Sequence, residues 1–210
     1  MAFKVNADVV DLRSDIPKNT DVFFVDTNIW YWFGYPPATV DPDLKPHRKM
    51  LISQYLKYIN IAKQSSSRLY KCTLSFSELA HIIESNERKI FNRNNNLDIE
   101  AKNFRHNYPQ ERAKVFTEIE DIWNLVNSVT GNNTIEANIT DNLVDESLKR
   151  LKNEALDGYD AFMIEAMIAS GITHVITDDR DFGQVAGITV FTANMALINE
   201  ATKQNKLVPR

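Results

Sequence analysis

The chain has one cysteine, Cys72, in 210 residues. That excludes an intrachain disulfide framework and any Cys-rich zinc site. It lacks a run of roughly 18 apolar residues, so no membrane span is expected. The opening MAFKVNADVVDLRSD carries acids where a secretory signal needs an apolar stretch, and a soluble cytoplasmic protein is expected. A basic excess is also missing: 24 Lys and Arg stand against 28 Asp and Glu, for a net charge of -4. At first sight this argues against a nucleic-acid partner, because phosphate binders are usually basic. The 43% apolar content is enough for a real core, and the length suits one domain with a sizeable insertion. No internal repeat is visible.

Residues 1–20 are polar and read as an arm. VFFVD at 22–26 reads as a buried strand with a carboxylate at its end. TNIWYWF then begins a helix, capped by Thr27 or Asn28 and stopped by Pro36 and Pro37. A helical pattern occupies 45–65, and 69–75 reads as a strand. FSELAHIIES follows as a helix with Glu78 in its first turn. The stretch 87–114 is basic and Asn-rich and reads as a helical insertion, with Arg88, Lys89, Arg93, Lys102 and Arg105 as candidate RNA contacts. An amphipathic helix covers about 110–129 and TIEANI a short strand. DNLVDESLKRL is a helix capped by its first Asp, and 158–170 is a helix buried nearly all round. Strands follow at 173–177 and 188–192, and 201–210 is a polar tail. Strands alternating with helices predict one α/β domain over 21–200, a three-layer sandwich on a small, mainly parallel sheet.

In such sheets ligands collect beyond the carboxyl ends of the strands. Acids interrupt apolar context at Asp26, Glu78, Asp160 and the run Asp178, Asp179 and Asp181. Brought together, they would raise one another's pKa and destabilise the fold unless a cation neutralised them. Oxygen donors without a His or Cys set point to Mg²⁺ or Mn²⁺ rather than zinc. Carboxylate-held ions activate water against phosphodiesters. Thr27, Asn28 and Thr177 are candidates to orient the ligands. Each acid also has an ordinary reading as a helix cap or solvated first-turn acid, and Asp157 reads as a capping partner of Asp160. The aromatic run Trp30, Tyr31, Trp32 and Phe33 reads as packing, Cys72 as core, and the four histidines as surface or helix-face residues.

VDTNIW at 25–30, a Ser-x-x-Glu helix start at 75–78, YDAFMIEAMIAS at 159–170 and VITDDRDF at 175–182 resemble the PIN domain, in the branch of VapC-like toxins. The resemblance implies a Rossmann-like fold and a Mg²⁺- or Mn²⁺-dependent ribonuclease, usually a homodimer, with an antitoxin protein as a further partner. It places the four acids on Asp26, Glu78, Asp160 and Asp179, with Asp181 and Asp178 auxiliary. The chain is longer than such toxins, with the extra length at 35–68 and 87–130. Two other functions fit parts of the sequence. A non-catalytic RNA-binding or interaction module would use the basic segment alone. An aspartate phosphatase would need an acid two residues after Asp26, where Asn28 stands. If the acids surround a cation, the negative net charge belongs to the site and does not oppose RNA.

Overall fold

The computed structural model describes residues 3–40 and 44–210. Six strands form one sheet: β1 (Asp8–Asp11), β2 (Val22–Val25), β3 (Arg68–Cys72), β4 (Thr134–Ile135), β5 (His174–Ile176) and β6 (Thr189–Thr192). Their order is β1-β6-β5-β2-β3-β4, and every pairing is parallel. The helices are α1 (Thr27–Gly34), α2 (Pro37–Val40), α3 (Pro46–Gln64), α4 (Leu74–Asn95), α5 (Ala101–Asn107), α6 (Pro109–Thr130), α7 (Asp141–Asn153), α8 (Gly158–Ala169) and α9 (Met195–Lys203). A 3-10 turn spans Arg180–Gln184. Among the described residues no helix is long and apolar enough to cross a membrane.

The predicted α/β/α sandwich is what forms. Both sheet faces are covered, so the strands are continuous apolar runs rather than alternating ones. Val10, Phe23, Val25, Ile176 and Phe191 face a core built with α1, α3, α4 and α6. Val9, Phe24, Val175 and Val190 face the other core, under α8 and α9. Trp30 and Trp32 are buried in the first core and Cys72 in the second, as packing residues.

Several expectations are corrected. The first twenty residues are not an arm: β1 pairs along its length with β6. Residues 201–210 are not a free tail, since Val9 N–H donates to Lys206 O at 2.8 Å and Val208 N–H to Val9 O at 2.8 Å. Residues 87–95 continue α4, and the following α5 and α6 close on a small aromatic core. There Phe91, Phe104 and Tyr108 pack with Ile99 and Val115. Helix α7 is capped by Thr140, whose hydroxyl accepts from Leu143 N–H at 3.3 Å, not by Asp141. His174 lies on β5, against the rings of Phe23 and Phe191.

Candidate active site at the carboxyl edge of the sheet

Because all six strands run the same way, their carboxyl ends share one edge. Asp26 directly follows β2 and is only 2% exposed. It occupies the cap position of α1, yet its side chain makes no capping bond. Its Oδ2 instead accepts a 2.7 Å hydrogen bond from Thr177 Oγ1. The same Thr177 oxygen accepts from Asp179 N–H at 2.9 Å. One hydroxyl at the end of β5 thus ties two candidate acids from neighbouring strands.

Asp179 caps the 3-10 turn through Oδ1, which accepts from Asp181 N–H at 2.8 Å. The turn sits close against α9: a Cβ at Gly183 would lie 2.5 Å from Leu197 Cδ1. Asp160 lies buried in the first turn of α8. Asp157 is the α8 cap, accepting from Asp160 N–H at 2.9 Å. Glu78 falls in the second turn of α4, not the first. Its Oε2 is buried and has no hydrogen-bond partner, and the same holds for Thr27 Oγ1. Thr27 favours the charged form of Glu78 electrostatically, without a well-formed bond between them. Asn28 is half-buried at the start of α1.

The electrostatics bring these acids into one group. Burial pushes Asp26 up to about 7, with the charge of Glu78 and then Asp179 adding to it and the Thr177 bond opposing. Burial pushes Asp160 up to about 9, with further increments from Asp26, Asp157, Asp179 and Glu78. Glu78 is raised by burial first, with Asp157 and Asp179 adding. Asp181 is raised by burial and then by Asp179, while Arg180 opposes. Among the described residues none of Asp26, Glu78, Asp160 and Asp179 forms an ion pair with a Lys or Arg. Oxygen donors, a partnerless buried carboxylate atom and uncompensated charge fit a hard divalent cation. Among the described residues no group of three or more His, Cys, Asp or Glu side chains stands close enough together to hold a metal ion as it is.

Asp178 points away from this group. Its Oδ2 accepts from Arg48 NH1 at 2.7 Å and its Oδ1 from Tyr55 OH at 3.0 Å, both on α3. Tyr55 OH also lies 2.8 Å from Thr192 Oγ1 and accepts from Ala193 N–H at 2.9 Å. Arg48, Tyr55 and Asp178 therefore brace the segment that carries Asp179. No local signal marks this brace, because 130 residues separate Arg48 from its partner. Asp157 is the cap its spacing suggests, and its charge also bears on Glu78 and Asp160.

The basic segment does not present its cations as one set. Arg88 NH1 donates to Ile99 O at 2.8 Å, joining α4 to the stretch before α5. Arg105 forms a two-pronged pair with Glu84. Lys89, Arg93 and Lys102 are exposed. No protein-family model matches the chain, and no curated protein matches it.

Proposed function

We propose that the protein is a divalent-metal-dependent endoribonuclease of the PIN type. The observation that carries this reading is the gathering of Asp26, Glu78, Asp160 and Asp179 near the carboxyl edge of the sheet, the first and third buried, the other two half-buried, and none ion-paired with a Lys or Arg among the described residues. Asp26, Glu78, Asp160 and Asp179 would hold the ion, with Asp181 beside them. Bound there, Mg²⁺ or Mn²⁺ supplies Lewis-acid activation of water and neutralises charge developing on the phosphodiester. Thr177 holds Asp26 with a donated hydrogen bond, which keeps a ligating oxygen aimed and favours its ionised form. Burial of Asp26 and Asp160 strengthens the charge interactions that these two acids make. Asp26 and Asp160 must release protons to receive a cation, so ion affinity rises with pH between about 6 and 9. The resemblance adds a homodimer and an antitoxin protein as proposed partners, which native mass measurement and co-purification test.

The test is cleavage of single-stranded RNA by purified protein with Mn²⁺ or Mg²⁺. EDTA should abolish it, and Asp26→Asn with Asp160→Asn should lower it by roughly 10²–10³-fold or more. A doubly substituted protein that cuts at the native rate would overturn the reading. RNA binding without any cutting under all metal conditions would favour a non-catalytic module.

A further inference from the structure

A second feature lies on the same sheet edge. Arg13 follows the end of β1, Ala193 and Asn194 follow β6, and His47, Arg48, Leu51 and Gln54 come from α3. Together with Met50, Met195 and Ala196 they line a cavity of about 290 Å³. We propose that this cavity seats one nucleotide of a single-stranded nucleic acid, with its phosphate on Arg13 and Arg48 and its base on the apolar floor. The proposal rests on the nuclease reading and adds where the substrate chain runs.

Position supports it. β6 is two places from β2 in the sheet, about 10 Å along the edge. A single-stranded chain covers that distance in one or two nucleotides. A phosphodiester at Asp26 thus leaves the adjoining nucleotide at the cavity, on the side of β5 and β6.

The lining has the two chemistries a nucleotide needs. Met50 and Met195 are large apolar side chains left 62% and 45% exposed, and with Leu51 they offer a surface for a base. Methionine adapts its shape to a flat ring more readily than a branched side chain does. Gln54 carries an amide donor and acceptor able to meet a base edge.

The arginines are held in fixed poses. Arg13 is bonded to Asp11, with Nε 2.7 Å from Oδ1 and NH2 on Oδ2. Arg48 uses NH1 on Asp178 and lies over the Trp32 ring at 4.7 Å. A guanidinium has five N–H donors, so these carboxylates engage only some of them. Each pair is close to neutral overall, which makes recognition directional and keeps its salt dependence low.

Occupancy would also reach the acids. Arg48 grips Asp178, and Asp179 is the next residue, hung from Thr177. A phosphate drawn to Arg48 therefore presses on the brace that places Asp179. Arg48 is a positioning residue in this sense, while Arg13 and Met195 touch only the incoming nucleotide.

The experiment uses the full chain and a fluorescent hexauridylate, first in EDTA for binding and then with Mn²⁺ for cleavage. Arg13→Gln and Met195→Ala should each weaken binding by about five- to tenfold. Each should raise KM by the same factor, with kcat within about twofold of native, and both variants should melt like the native protein. Arg48→Met should lower kcat as well, because it releases Asp178. Binding and KM unchanged in both Arg13→Gln and Met195→Ala overturn the cavity while leaving the nuclease reading intact. Weakened binding in a protein that never cleaves keeps the cavity and removes the nuclease reading. Displacement of the oligonucleotide by hexaglutamate as readily as by unlabelled hexauridylate would show an acidic-peptide site and overturn the proposal.

Discussion

Asp15 and Asp21 are each 7% exposed, about as buried as Asp26 at 2% and Asp160 at 8%. The first pair carries its counter-charge with it. Arg210 reaches both carboxylates, with Nε and NH2 each 3.0 Å from Asp15 and NH1 and NH2 at 2.9 and 2.7 Å from Asp21. Tyr58 OH donates to Asp15 and Lys18 N–H to Asp21. The guanidinium lies over the ring of Phe191, where its weak hydration suits an apolar setting. Asp26 and Asp160 at the carboxyl edge have no such partner among the described residues, and their protons are held up to about 7 and about 9. One molecule thus shows both outcomes of burying carboxylates: a closed network that serves the fold, and an open one suited to an external cation.

The comparison can be broken by removing the cation that is present. Arg210→Ala strands two buried acids and should cost about 3–5 kcal/mol, a drop in Tm on the order of 10 °C. A loss below about 1 kcal/mol would mean the closed network contributes little. Thermal melts of the two proteins decide it.

A smaller effect is expected at the open group from Thr177→Val. Asp26 loses the one side-chain bond that favours its ionised form, so its pKa climbs further. Activity should fall roughly 10–100-fold, and the acid limb of its pH profile should move to higher pH. A rate loss with an unmoved limb would place Thr177 in packing alone.

The smallest effect has the opposite sign to that of Arg210→Ala. The folded pKa values of Asp26 and Asp160 lie above their ordinary value, at about 7 and about 9. Both acids are comfortable when protonated, so their contribution is present at low pH and is lost as pH rises through those values. Without divalent ions, native Tm should fall between pH 5 and 9. Asp160→Asn should raise Tm by about 5 °C at pH 8 and hardly at all at pH 4. Mn²⁺ should stabilise the native protein more at pH 8 than at pH 6 and the variant much less. A destabilised Asp160→Asn protein at pH 8 would erase the contrast between the two acid groups.

The sandwich was readable because β2, β5 and β6 are short apolar runs with turn residues between helical patterns. β1 was not, because Asp8 and Asp11 bracket only Val9 and Val10, and its partner lies at the far end of the chain. Its identity as a strand depends on a pairing that no local window contains. The acids were readable as strand-end interruptions, and the resemblance ranked Asp179 above Asp178, but nothing in the spacing gave the two neighbours different surroundings. Only the fold turns one toward α3 and the other toward Asp26. Likewise Arg88 and Arg105 read as members of one basic set in sequence, and their separate bonds to the carbonyl of Ile99 and the carboxylate of Glu84 appear only once α4 and α5 are folded together.

The pairing of Asp8 with Thr189 has a further consequence during synthesis. At ordinary translation rates β1 leaves the ribosome roughly 10–40 s before β6 exists. For that interval Val9 and Val10 have no strand to pair with and stay open as an apolar segment that other chains can engage. A slowed ribosome or scarce chaperone would therefore show first as aggregation of nascent chains seeded at β1, while the finished protein, once closed, would carry no trace of the hazard.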